Sequence, residues 1–201
     1  AAAIGARLPV QEAVPNVIVD IGGGTTEVAV ISMGGVIASR SLRVAGDKLT
    51  EDIVRYLRDE RSLLIGDATG EQVKIALGSA WPMDKELELP VRGRDLMSGL
   101  PREILVSSED IRQALQRSIK LIVKAVRTTV EETPPELAAD LIARPIALAG
   151  GGALIRGLDK LLSTETKLIV QSVDDPLTAV VRGCGMALER MERLGSIFTS
   201  E

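Results

Sequence analysis

The sequence predicts an α/β protein, and three observations carry that prediction. Three β-rich runs, residues 17–19, 27–32 and 36–42, follow one another across the short turns GGGTT and Met33-Gly34-Gly35, as in an antiparallel meander. Farther on, stretches with helical periodicity alternate with strand-like runs, among them the buried-looking run 145–149. Of the 201 residues 45% are hydrophobic but only 1% aromatic, so a core must be assembled from Val, Ile, Leu and Ala.

Taken in order, an Ala-rich opening reads as the end of a helix, broken at Gly5 and followed by a loop holding Pro9 and Pro15. The meander comes next. In 47–58, Leu49, Ile53, Val54 and Leu57 recur at helical spacing, with Asp47 as the expected N-cap. Residues 69–77 read as another helix, capped by Thr69 and carrying Glu71 in its first turn, where a carboxylate suits the dipole. Two alternating runs, 86–93 and 102–108, read as paired strands. Ser108, Glu109 and Asp110 open a helix of about 20 residues along Ile111, Leu115, Ile119, Ile122, Val126 and Val130, ended by Thr133-Pro134-Pro135. A helix at 136–142, the strand 145–149, the turn GGGA, a helix at 154–162, a strand at 167–171 and a helix from 176 to about 194 complete the pattern. The segment 46–107, with its own helices and strand pair, reads as a small α+β subdomain inserted into a larger unit made of 1–45 and 108–201.

Composition removes several kinds of chemistry. There is no histidine, which excludes a His-based catalytic triad and a His-ligated zinc site. The single cysteine, Cys184, excludes an internal disulfide. A net charge of −4 without segregation of sign, and three aromatic residues standing apart, argue against a nucleic-acid partner. No run approaches the roughly 20 apolar residues that span a bilayer, and the expected location is the cytoplasm. The opening AAAIGARLPV, without Met, is expected of a piece of a longer protein.

Two glycine triplets remain to be explained. Consecutive glycines leave backbone N–H groups bare and permit positive φ, so Gly22, Gly23 and Gly24, followed by Thr25 and Thr26, could wrap donors around an anion. Asp20, at the end of a buried-looking strand, is costly without a cation or donors to meet it, and a magnesium ion riding on phosphates would supply that partner. Gly150, Gly151 and Gly152 stand where a strand is expected to pass into a helix, a place where backbone can approach a ligand. Each feature also has a bland alternative: a glycine hairpin turn, close helix–strand packing, an Asx turn. Neither triplet carries the phosphate-loop lysine or the full G-x-G-x-x-G pattern.

Six motifs, in order, resolve the choice: DIGGGTTEVAV (20–30), GDKLTEDI (46–53), EQVKIALGSA (71–80), TPPELAADL (133–141), LAGGGALIRGLDKLL (148–162) and DPLTAVVRGCGMAL (175–188). They closely resemble the MreB family of bacterial actin homologues, within the superfamily of actin, DnaK-type chaperones and sugar kinases. The resemblance runs from end to end and covers only the second half of that family's chain.

It implies a ribonuclease-H-like core forming one side of a cleft for ATP and magnesium. Gly22, Gly23 and Gly24 would offer amides to the β- and γ-phosphates, with Thr25 and Thr26 beside them. Asp20 would hold magnesium through water, and Thr25 would orient the attacking water. Glu71 and Lys74, three apart on one helix face, match the family's clamp on ribose and adenine; the bland alternative for the pair is a solvated ion pair. Gly150, Gly151, Gly152 and Ala153 match the adenosine loop.

The first phosphate loop, the catalytic glutamate and the membrane-inserting element would belong to the other half, so this length alone is expected to bind ATP poorly and scarcely hydrolyse it. The whole protein is expected to be a slow ATPase that assembles into filaments beneath the inner membrane, meets adaptors such as RodZ and guides the rod-shaped wall. Half of a small-molecule kinase of the same superfamily is the alternative.

Overall fold

The computed structural model describes residues 1–189. Its first element is a single helical turn, α1 (Ala2–Gly5), and three strands follow: β1 (Asn16–Ile21), β2 (Thr26–Ser32) and β3 (Gly35–Leu42). They form the expected meander, with Asp20 opposite Glu27 and Ile21 opposite Thr26. The helix α2 (Gly46–Arg61), the two-residue strand β4 (Leu63–Leu64) and the helix α3 (Asp67–Leu77) lead to the hairpin of β5 (Glu88–Asp95) and β6 (Pro101–Ser107). Then come the long α4 (Ser108–Glu131), α5 (Pro135–Ala138) running into a 3-10 turn (Ala139–Ala143), and β7 (Ile146–Ala149). A second 3-10 turn (Gly151–Leu154), α6 (Leu158–Thr166), β8 (Val170–Ser172) and α7 (Ala179–Glu189) complete the chain. Residues 190–194 of the expected last helix lie outside the described residues.

The five-stranded sheet runs β3-β2-β1-β7-β8, and a three-stranded sheet runs β4-β5-β6. β1 pairs antiparallel with β2 but parallel with β7, and β7 pairs parallel with β8. β1 is therefore the junction between the meander and the parallel half. On one face α4 packs over β2 and β3 and against α2 and α6; on the other, α1 meets β1 and α7. One contiguous apolar cluster joins Val19, Ile21 and Val28 of the larger sheet to Leu49 and Leu57 of α2, Val91 and Val106 of the hairpin, and Ile111 and Ile122 of α4. It contains no aromatic side chain among its buried members, as the composition predicts. Ile111, Leu115, Ile119, Ile122 and Val126 put a three-or-four spacing on the buried face of α4.

α4 starts at Ser108, as expected, and is capped by Ser107: the Asp110 amide donates to Ser107 Oγ at 3.1 Å, and the Ser107 amide donates to Asp110 Oδ2 at 3.0 Å. Other helix starts differ from expectation because their capping partners lie elsewhere. α3 starts two residues before Thr69, after Gly66, and Thr69 caps nothing. Asp47 sits in the first turn of α2 rather than at its N-cap, which is Ala45. The helix expected at 154–162 begins only at Leu158, after Gly157 in the left-handed region at φ 71°. A Cβ at Gly157 would stand 2.5 Å from Trp81 Cβ, so a larger residue is excluded there.

The loop carrying Trp81 is held by one guanidinium. Arg112 of α4 donates to Ser79 Oγ at 2.9 Å, to the Trp81 carbonyl at 3.1 Å and to Glu86 Oε1 at 2.6 Å. Glu86 also accepts from Ser108 Oγ and from the Met83 amide. These bonds, Arg112 first, hold the Glu86 carboxyl down at about 2, against an ordinary 4.5. A depressed folded value means that this contribution to stability is full above pH 4.5 and is lost as pH falls toward about 2. Glu86→Gln should therefore lower the urea midpoint at pH 7 and flatten its decline between pH 4.5 and 2, as measured by denaturation at a series of pH values.

Candidate functional site

Both glycine triplets lie just past the carboxyl ends of neighbouring parallel strands, β1 and β7, the edge at which open α/β sheets bind ligands. The first loop is shaped by the start of α2. That helix has no side-chain cap; instead the Gly46 amide donates to the Gly22 carbonyl at 3.0 Å and the Asp47 amide to the Gly23 carbonyl at 2.8 Å. A trans peptide points its N–H opposite to its C=O. With the Gly22 and Gly23 carbonyls turned in toward α2, the Gly23 and Gly24 amides are turned out. Among the described residues neither has a backbone acceptor, and Gly23, Gly24 and Thr25 are exposed.

Two expected donors are spent elsewhere. The Gly22 amide closes the turn onto the Thr25 carbonyl at 2.9 Å. Thr26 is fully buried and its hydroxyl donates to the Val44 carbonyl at 2.7 Å. Opposite Ile21 in the ladder, Thr26 faces the core, and its hydroxyl needs an internal acceptor there. Thr25 alone presents its side chain outward.

Asp20 lies half-buried beside this loop, and no donor among the described residues reaches its carboxylate. Burial pushes its carboxyl up, and the Glu27 carboxylate across the ladder adds to the effect. The site therefore holds a carboxylate that no donor among the described residues reaches, close in the chain to bare amides, a set that fits a phosphate chain with a hard cation.

The second triplet serves a different purpose. Gly150 has φ 78°, and a Cβ there would overlap the Ile21 carbonyl; a Cβ at Gly152 would overlap Ile21 Cγ2. The Gly150 amide is committed to the Pro176 carbonyl at 2.9 Å. Gly152 and Ala153 are buried, and only Gly151 of the four is exposed. The first triplet contrasts on each count: none of Gly22, Gly23 or Gly24 has positive φ, and a Cβ at Gly24 would meet nothing within 4 Å. The fold demands glycine at 150 and 152 but not at 24. The expected use of positive φ in GGGTT does not occur.

Lys74 faces inward from α3 toward α2, and Glu71, with its side chain 46% exposed, stands at the edge. Lys74 Nζ donates to Glu71 Oε2 at 2.6 Å, to the Gly46 carbonyl at 2.8 Å and to Thr50 Oγ1 at 3.0 Å. Thr50 donates to Glu71 Oε2 at 2.6 Å. Burial pushes the Glu71 carboxyl up, but the bonds from Lys74 and Thr50 outweigh it and hold it below the ordinary range. The ion pair is part of a three-residue tie between the helices, with Lys74 shielded and Glu71 half-exposed. The Thr50 hydroxyl also lies 3.2 Å from the Gly46 carbonyl, and its role escapes a sequence reading because its side-chain partners stand 21 and 24 positions away. A recess of about 350 Å³ opens beside them, lined by Asp47, Thr50, Glu51, Asp67 and Glu71. The segment after the Gly150 turn is tied to the far end of α3 by a parallel bridge between Ser79 and Arg156, and Arg156 donates to the Ile75 and Gly78 carbonyls there. A larger cavity of about 860 Å³ runs along α4 and α6, away from the glycine turns.

This sheet, with its two turns at one edge, places the chain in the actin-like fold class. A solved MreB5 of Spiroplasma citri bound to ADP superposes with a TM-score of 0.91 at 38% identity, over 99% of this chain and 60% of that one. The same protein bound to AMPPNP also gives 0.91, over 97% and 59% of the two chains. A MamK double helical filament gives 0.76 at 22% identity, over 94% of this chain and 57% of that one, a likeness of fold.

The chain belongs to the MreB/Mbl protein family, whose model matches residues 1–196. It is 51% identical over 201 residues to the cell shape-determining protein MreB of Escherichia coli K12, covering 100% of this chain and 58% of that one. It is 45% identical over 193 residues to the cell shape-determining protein Mbl of Bacillus subtilis 168, covering 96% and 58%. The chain thus spans well under two thirds of these relatives.

Because the fold needs glycine at 152 and not at 24, the two positions should respond oppositely to alanine. Gly152→Ala should cost about 1–3 kcal/mol through overpacking against Ile21. Gly24→Ala should leave stability within about 1 kcal/mol of wild type. Chemical denaturation of both variants measures the difference.

Proposed function

We propose that this chain forms one wall of a magnesium–ATP cleft in a filament protein that determines rod cell shape by organising wall synthesis. The observation that carries the reading is the pair of outward amides, Gly23 and Gly24, beside Asp20, whose carboxylate no donor among the described residues reaches. In this reading the amides bind β- and γ-phosphate oxygens, Asp20 holds the water shell of magnesium, and the Thr25 hydroxyl orients the attacking water. Magnesium would neutralise charge on the phosphates. The acid-lined recess accepts hydrogen bonds and offers few, which suits ribose hydroxyls and an exocyclic amine rather than phosphate. Gly151 borders the nucleoside from the other turn.

Nucleotide-bound relatives in Spiroplasma citri and the shape-determining relatives in Escherichia coli and Bacillus subtilis support this reading. The whole protein would be a slow ATPase that self-assembles in the cytoplasm beneath the inner membrane, with RodZ-like adaptors as partners. ATP-dependent pelleting of the full-length protein tests assembly; protein that stays soluble under every nucleotide condition would count against it.

Asp20 gives a two-sided test. Its folded pKa lies above 3.8, so ionisation costs stability at neutral pH, and that cost fades as pH falls toward 3.8. Asp20→Asn in the full-length protein should raise the melting temperature at pH 7, with the gain shrinking in acid. It should also weaken ATP binding in the presence of magnesium by about tenfold or more, while leaving magnesium-free binding nearly unchanged. Calorimetry with and without magnesium reads both.

A further inference from the structure

We infer that the groove between α4 and α6 is a docking site for an acidic amphipathic helix of another protein. The inference goes beyond the nucleotide reading and does not depend on it. The groove is the cavity of about 860 Å³ that runs along the two helices, and a second recess of about 470 Å³ continues it past Arg127 toward Thr166 and Lys167. It lies on the face of the larger sheet opposite α1 and α7. Ile119, Val123 and Leu161 make an apolar floor. α4 supplies one wall from Glu109 to Glu131, about 33 Å of helix.

Charge along that wall is ordered. Lys120, Lys124 and Arg127, all exposed, follow one another at intervals of four and three on one helix face, while Glu109 stands at one end of the groove and Glu131 with Glu165 at the other. Among the described residues the ion-paired lysines are Lys48 and Lys74; Lys120 and Lys124 form no ion pair. Arg127 meets Glu131 at 2.8 Å, but both side chains are more than half exposed, where an ion pair contributes little. Like charges four apart on a helix weaken it. A chain of net charge −4 thus sets two unneutralised lysines side by side above an apolar floor, an arrangement unfavourable in the free protein and relieved by carboxylates brought from outside.

Shape and charge order then choose among anionic partners. A channel between two helices accepts an inserted helix through apolar contacts at three-and-four spacing, whereas a flat bilayer surface does not reach its floor. Nucleic acid presents phosphates evenly, and the glutamates at both ends repel it. A second copy is not complementary through α2, whose exposed face alternates Glu51, Arg55, Arg58 and Asp59. The partner that fits carries carboxylates at i, i+4 and i+7 to meet Lys120, Lys124 and Arg127, aliphatic residues beside them for the floor, and basic residues toward its ends.

The probe is a synthetic helical peptide of about 20 residues with that layout, compared by fluorescence anisotropy with a twin whose three carboxylates are glutamines. The full-length protein should bind the acidic peptide at least about tenfold more tightly than the twin, with the gap shrinking as salt rises. Lys120→Glu combined with Lys124→Glu should abolish that preference, and a peptide with lysines in place of the carboxylates should then bind better than the twin. Lys120→Gln combined with Lys124→Gln should raise the urea midpoint of the free protein, which lysines kept for stability would not do. Equal binding of the two peptides by the wild type, or a preference that survives the double charge reversal, would overturn the proposal. So would a reversal that leaves peptide binding intact but impairs self-pelleting or flotation with phosphatidylglycerol vesicles, since the groove would then belong to a second copy or to a membrane.

Discussion

Two hydrogen bonds, from the Gly46 and Asp47 amides to the Gly22 and Gly23 carbonyls, decide what the first glycine loop can offer. A helix start leaves amides unsatisfied, and a sharp loop leaves carbonyls and amides bare. Here each supplies the other's deficit, and the amides left over face outward. The cap of α2 and the ligand-facing side of the loop are thus opposite ends of the same peptide units. The sheet fixes β1, the core packs α2 against α4, and the loop between them inherits its orientation from both.

Ile21 connects the two turns. Its side chain fills the space that a Cβ at Gly152 would need, and its carbonyl fills the space at Gly150. The second triplet is therefore glycine because β1 crowds it, whereas the first is glycine where the fold leaves room. Identical runs of three glycines meet opposite constraints, and the uncrowded one turns two amides outward where a ligand can meet them.

Much of this was legible in the sequence, for reasons that differ by element. The meander and α4 announce themselves through local periodicity, since Ile111, Leu115, Ile119, Ile122 and Val126 repeat at the pitch of their own helix. The family likeness reached the site region because its motifs fall at strand ends and helix starts. Partners far apart in the chain were not legible. The Thr26 hydroxyl goes to Val44, 18 positions on, and Lys74 reaches back 28 positions to Gly46. Nor does sequence distinguish a carbonyl cap from a side-chain cap, which is why Asp47 looked like the start of α2. The 3-10 turn after β7 was hidden because Gly157, rather than the triplet, breaks the helical pattern.

The sole tryptophan of these 201 residues is Trp81. It lies in the loop that the Arg112 network holds, with its Cβ against Gly157 and with Ser79, two residues before it, bridged to Arg156. Trp81 thus stands beside the junction of α3 with the segment that follows the second glycine turn. Its emission is an intrinsic optical gauge of that junction, sensitive to any shift between the two elements without a label attached to either.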